Sequence, residues 1–387
     1  MSTTIEMLRE EISSKANHAV IAAIVLFLAS SKGRFLLSTA VGKGLRKGIY
    51  NVPVSARYKL ISFFLARPLS VARAFYNEAT KPVGYEYLHF GSFKRQDFAG
   101  SWIVAEDIAR KKDAIQWVEN TTSAEADLVI LFIHGGGFRI GYATQYLRSF
   151  LHIIEHVKNK HGLTARILSV EYTLTPEARY PTAQKECVRS YEYLVNELGI
   201  DPSKIIVAGD SAGGWLTAQT VLTMRDEQQQ QEEEEGRRRL PAGSVMISPW
   251  ITLELTSPTL KTHESTDVVR VSQLEAHIKD YLPQLTGMSK EEQAAFLQQP
   301  EISPVYANYK DVGKVLVTYG EGEILKYDIK RLVDKLKTTE GVQLDVIARE
   351  NAPHIWVVEP SLCPSEQAWR DDLSLIADWC ANTVKQD

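Results

Sequence analysis

The chain has 387 residues, 44% of them apolar, which is ordinary for a globular protein and long enough for one large α/β domain with additions. Its 44 basic and 48 acidic residues leave a net charge of −4, so no basic field is available to attract nucleic acid. The three cysteines, Cys187, Cys363 and Cys380, are far apart and form no CxxC or CxxH pair, so neither a disulfide framework nor a zinc site is expected, which fits a reducing compartment.

Residues 1–16 read as a short polar helix. The uncharged run Ala19–Ala29 follows, shorter than the roughly 20 apolar residues that span a bilayer. Acidic residues precede it, which argues against a cleaved signal peptide, and Lys32, Arg34, Lys43, Arg46 and Lys47 follow it. Three readings stay open for residues 17–37: a membrane anchor that leaves the body of an intracellular protein in the cytosol, an interfacial helix, or a helix buried in a lid. Residues 51–80 are rich in apolar and aromatic side chains, with Pro53 and Pro68 bounding helical segments, and are expected to cover something. Residues 1–80 thus read as an apolar helical segment ahead of a main domain over 81–387.

From residue 85 onward strands alternate with helices. Tyr85–Phe90 and Ser101–Ala105 are expected to form an antiparallel pair. Buried strands are expected at 128–133, 167–170, 204–209, 244–248, 315–318 and 344–347, and helices at about 146–157, 183–198, 215–224, 326–338 and 365–383. This order predicts a largely parallel sheet covered on both faces. The tract from Gln228 to Arg239 reads as a solvated loop. The interval from about 254 to 300, rich in helix formers, is placed to be a cap insertion.

The chain is organised around Gly209-Asp210-Ser211-Ala212-Gly213-Gly214. A β-branched strand precedes it and an unbroken helix follows, so Ser211 sits on a sharp strand-to-helix turn, the GxSxG pattern of an exposed nucleophile. The N–H of Ala212, at the helix start, is placed to face a bound oxygen. A second cluster, His134-Gly135-Gly136-Gly137-Phe138, follows strand 128–133. Its glycines let backbone N–H groups face an anion. Two such donors together with the Ala212 N–H would form an oxyanion hole, each donor contributing about 3 kcal/mol to transition-state stabilisation. His134 is expected to shape that loop and not to act as a base.

The base should follow the last strand, which selects His354 in Ala352-Pro353-His354. The orienting carboxylate should follow strand 315–318, where Glu321, Glu323 and Asp328 compete. Glu323, flanked by Gly322, is best placed to reach His354; Glu321 follows the strand too closely and Asp328 lies in the next helix. A glutamate can fix the imidazole tautomer and stabilise its charge.

These motifs resemble the hormone-sensitive-lipase-like branch of the α/β-hydrolases. HGGGF, GDSAGG and the segment Tyr172-Thr-Leu-Thr-Pro-Glu-Ala-Arg-Tyr-Pro181 carry the resemblance, with Ile247-Ser-Pro-Trp250 and Ile302-Ser-Pro304 as weaker matches. It covers residues 85–387. It implies an α/β-hydrolase fold with a mostly parallel eight-stranded sheet, helices on both faces and a helical cap. It also implies a Ser211, Glu323, His354 triad and an oxyanion hole at Gly136, Gly137 and Ala212, although aspartate is commoner in the family where Glu323 stands. The apolar amino terminus more loosely resembles that of fungal steryl acetyl hydrolases, which are membrane-associated. The expected activity is hydrolysis of small hydrophobic esters, short-acyl (acetyl) ones first, without metal or organic cofactor. An amidase, lactonase or acyltransferase would use the same triad, and a ligand receptor on this fold would need neither nucleophile nor base.

Overall fold

In the computed structural model, residues 48–231 and 240–385 are described. Two helices open this part of the chain, α1 (Val54–Leu65) and α2 (Leu69–Thr80), each started by a proline whose fixed φ suits a helix entrance. Then follow β1 (Phe90–Lys94), β2 (Ala99–Ile103), α3 (Ala114–Glu125), β3 (Leu128–Ile133), α4 (Leu147–His156), β4 (Ala165–Val170) and α5 (Thr182–Glu192). The second half contains β5 (Ile205–Asp210), α6 (Ala212–Gln231), β6 (Gly243–Ile247), α7 (Thr259–Thr262), α8 (Val271–Tyr281), α9 (Lys290–Leu297), β7 (Gly313–Gly320), α10 (Lys326–Lys337), β8 (Val342–Arg349) and α11 (Glu366–Lys385).

The strands form one eight-stranded sheet in the order β1-β2-β4-β3-β5-β6-β7-β8. Pairing is parallel from β4 through β8; β2 runs antiparallel to both β1 and β4. Alternation along the strands feeds two cores. Ile130, Phe132, Ile206, Val245 and Leu316 point to the side covered by α4 and α11. Val129, Leu131, Ile133, Val207, Met246, Val315 and Val317 point to the other side, packed with residues of α5, α6, α8 and α10. Because both faces are covered, the central strands are apolar at nearly every position. The α/β-hydrolase architecture expected from the motifs is therefore the observed one.

Three local expectations change. Residues 84–88 form a 3₁₀ turn, and β1 begins only at Phe90. Gln228–Gln231 are helical, because glutamine is a good helix former and nothing in that run breaks α6. Helix α3 was not expected; it buries only Val118 and Thr122, too few positions for a legible period. The run Ala19–Ala29, with the rest of residues 17–37, lies outside the described residues. Among the described residues no helix is long and apolar enough to cross a membrane.

Helices α7, α8 and α9 all fall in the interval expected to form a cap, and α1 and α2 reach the same side of the molecule. Arg270, just before α8, donates to Ser62 Oγ on α1 at 2.7 Å. Arg73 on α2 donates to the carbonyls of Arg139 and Thr175 at 2.7 and 2.8 Å. Arg57 and Tyr58 on α1 donate to carbonyls of residues 361–363, a few positions beyond His354.

Candidate active site

Register assembles the site. Asp210, Ile247, Thr318 and Ile347 lie side by side across β5–β8, so the segments after these strands emerge together at one edge. Ser211 follows Asp210 directly, with φ 53°. Its N–H donates to the Ile247 carbonyl at 2.9 Å, and its own carbonyl accepts from Trp250 N–H at 2.9 Å. The turn is therefore held from β6 as well as from its own helix. The approach of α6 to the sheet requires glycine at Gly213, where a Cβ would lie 1.9 Å from the Ile133 carbonyl oxygen.

After β7, Glu323 is fully buried, and its Oε2 lies 2.7 Å from Nδ1 of His354, which is 3% exposed. Its other oxygen, Oε1, accepts from Gly320 N–H at 2.8 Å and from Ser248 Oγ at 3.2 Å. The two reserve carboxylates are engaged elsewhere. Asp328 bonds Ser257 and pairs with Arg331, and Glu321 pairs with Lys326 at 2.9 Å. With Nδ1–H directed at Glu323, Nε2 of His354 is left with a lone pair to accept a proton. Burial works against a charged imidazole. The Glu323 hydrogen bond and charge, followed by the charges of Asp267 and Asp210, outweigh it and raise the His354 pKa above its ordinary value. Burial raises the Glu323 carboxyl too, opposed by its bond to His354.

Two buried aspartates brace these loops, and neither role is marked by any motif or spacing in the chain. Asp267, from the segment leading into α8, accepts the N–H groups of Val268, Ile324 and His354 at 2.7, 2.8 and 2.9 Å. It ties together the acid's loop and the base's loop, whose residues lie 57 and 87 positions away. Asp210 accepts Gly135 N–H at 2.9 Å and Tyr146 O–H at 2.8 Å, so the residue before the serine also holds the glycine loop. Burial pushes its carboxyl up to about 7.

On the glycine loop, the N–H groups of Gly136 and Gly137 make no hydrogen bond among the described residues. Ala212 is the first helical residue, so its N–H has no intrahelical partner either. Gly137 has φ 60°, and a Cβ there would meet the His277 ring of α8 at 1.8 Å, so only glycine fits beneath that helix. The next two residues dock on α8 as well: Phe138 stacks on Tyr281 at 3.9 Å and Arg139 pairs with Asp280 at 2.8 Å. His134 is fully buried, stacked on Tyr172, with Nδ1 at 2.7 Å from the Gly135 carbonyl. Burial lowers its pKa to about 4, so it is neutral and structural.

Backbone strain concentrates at this edge. Seven described non-glycine residues have positive φ: Asp113, Phe138, Ser211, Ser248, Asp311, Asn351 and Ile355. The aspartates and the asparagine are of types that tolerate this conformation. The other four, Phe138, Ser211, Ser248 and Ile355, all belong to the site.

Comparison with known proteins bears on these features. Residues 130–358 match the family model described as alpha/beta hydrolase fold. An esterase of Acinetobacter venetianus is 29% identical over 223 residues, covering 57% of this chain and 65% of that protein. An acetyl-hydrolase of Streptomyces hygroscopicus is 25% identical over 228 residues, covering 59% and 67%. The match thus spans about two thirds of those relatives' own length. Among solved structures, an esterase from the bacterial hormone-sensitive lipase family superposes with TM-score 0.67 at 25% identity, covering 86% of this chain and 98% of that one.

Proposed function

Because the chain belongs to the alpha/beta hydrolase fold family, we propose that it hydrolyses carboxylic esters by a serine nucleophile, with small hydrophobic short-acyl esters as substrates. The observation that carries this reading is the buried Glu323–His354 pair at 2.7 Å, emerging beside the strained turn of Ser211. Ser211 Oγ attacks the ester carbonyl while His354 Nε2 takes its proton. The resulting imidazolium is stabilised by Glu323. The oxyanion accepts from the unengaged N–H groups of Gly136 and Gly137 and from Ala212, at the positive end of α6. His354 then returns the proton to the departing alkoxide. Water, deprotonated by the same imidazole, cleaves the acyl-enzyme and releases the acid.

The short-acyl preference draws support from the buried aromatic cluster of Phe138, Trp215, Trp250 and Tyr281. It fills the space beside the glycine loop. The names of the esterase and acetyl-hydrolase relatives point the same way.

The test is hydrolysis of nitrophenyl esters from acetate to long acyl chains by wild type and Ser211→Ala. Wild-type activity should be highest on acetate and fall with chain length. The variant should lose roughly a millionfold in kcat with its melting temperature unchanged. A rise toward long chains would refute the short-acyl reading. Activity surviving in the variant would refute the serine mechanism.

A further inference from the structure

Helix α4 does not finish as an α-helix; its continuation, Val157–His161, is a π turn. In an α-helix, residues five apart point about 140° away from one another. The wider i→i+5 turn brings them back toward one side. His156 and His161 are five apart, and Nε2 of each lies 2.8 Å from the same atom, Oδ1 of Asp378 on α11. All three ligand atoms fall within 4.8 Å of one another.

We propose that His156, His161 and Asp378 form a binding site for a divalent transition-metal ion, zinc above all. Two imidazoles and one carboxylate are a donor set that zinc accepts, whereas magnesium and calcium take oxygen ligands. If both rings donate to Oδ1, both carry their proton on Nε2. On the other tautomer, two lone pairs converge on one oxygen, and a cation resolves that conflict. Around a tetrahedral zinc, neighbouring ligand atoms stand about 3.3 Å apart, so the cluster needs to open by about half an ångström. The three side chains are 10–21% exposed, which leaves a side for a water as fourth ligand.

The resident cation is Lys160, whose Nζ lies 2.6 Å from Oδ2 of Asp378. It is more than half exposed and free to swing away, and it competes with the metal for the same carboxylate. The site joins the end of α4 to α11. Helix α4 is preceded by Tyr146, bonded to Asp210, and α11 carries Asp372, which accepts from Trp356 Nε1 two residues past His354. His156 lies ten residues beyond Tyr146, about 15 Å along the helix. The expected consequence of binding is therefore stability of the helical layer, and the proposal does not depend on the esterase reading.

Chelator-stripped full-length protein is titrated with zinc chloride by calorimetry and by thermal melting. The expected result is saturable binding of one zinc per chain, with the melting temperature raised by about 3 °C at a hundredfold excess over Kd. Magnesium chloride should do neither. His156→Ala and His161→Ala should each weaken zinc binding at least about tenfold. Lys160→Ala separates a metal site from a mere ion-pair cluster. A metal site binds zinc more tightly once the competing ammonium is gone, whereas an ion-pair cluster only loses stability. Cobalt(II) bound to the wild type should show the visible absorption of tetrahedral coordination, a readout that stands even if the histidine variants fail to fold. No saturable zinc binding by the wild type, or binding that survives both histidine substitutions, would overturn the proposal.

Discussion

At the carboxyl edge of β5–β8 the polar contacts are buried, and many end on backbone groups. Asp267 takes three N–H groups, Glu323 takes one and the imidazole, and Asp210 takes Gly135. Around α2 and α8, the proposed cap, the contacts are aromatic stacking, as between Phe138 and Tyr281, and partly exposed ion pairs, such as Arg139 with Asp280 and Arg73 with Glu177. The first kind fixes atoms, because a buried acceptor is costly to leave unpaired. The second kind fixes a surface shape while letting it adjust, because exposed charges are screened and stacked rings slide at little cost. Under the proposed function, positioning of the reacting atoms falls to the first region and choice of substrate to the second.

Four substitutions would break or sharpen that contrast. The largest effect is expected from Glu323→Gln, which should lower kcat by about a thousandfold. It should also move the acidic limb of the pH–rate profile. In the wild type the rate falls as pH drops through the raised His354 pKa and the base becomes protonated. Without the carboxylate, only the lesser charges of Asp267 and Asp210 oppose burial, the His354 pKa falls, and the limb moves to lower pH. A limb that stays in place would sever Glu323 from the base.

Next comes Asp210→Asn, read by urea denaturation across pH. Asp210 titrates at about 7 when folded, against an ordinary value of 3.8. Between those values the folded chain keeps a proton that the unfolded chain has lost. Its contribution to stability is therefore complete below about pH 4 and is lost as pH rises through 7, on the order of 1–3 kcal/mol between pH 5 and 7. The asparagine variant should flatten this slope; an unchanged slope would remove Asp210 as its source.

Asp267→Asn keeps the shape but sets an N–H₂ against a backbone N–H. Loss of one charge-assisted bond, about 1.5–3 kcal/mol, corresponds to roughly 10- to 100-fold in kcat if expressed in the transition state. KM should stay nearly constant; a change confined to KM would move Asp267 from the rim's role to the cap's. The smallest effect belongs to Arg73→Ala in the cap. About 0.2–1 kcal/mol for a partly exposed pair predicts a change of less than about fivefold, seen in KM across the ester series. A large fall in kcat on acetate would show that the cap also positions the reacting atoms.

The same contrast explains what could be read from the chain alone. Within the candidate site, Ser211 stands out because it follows directly on a strand, His354 because it lies in the loop after the last strand, and Glu323 because a flanking glycine gives it reach. Chain order carries that information. Asp267 serves backbone groups far away in sequence, so neither periodicity nor spacing marks it, and its own neighbourhood reads as cap. The role of Asp210 is hidden for the same reason, although it stands inside the most conspicuous motif. Helix α3 has too little apolar stripe to mark it in the sequence, and the polar glutamines ending α6 read as loop because solvation and helix propensity are separate properties.

Phe138, Ser211, Ser248 and Ile355 hold backbone conformations that cost on the order of 1–3 kcal/mol each. Together that rivals the entire net stability of an ordinary domain, about 5–15 kcal/mol. A lineage released from the need to turn over substrate could relax these four positions one at a time and gain thermal resistance at each step. Selection for heat tolerance alone would therefore erode this edge before it touched the sheet, and a hardened descendant would be expected to be a slower one.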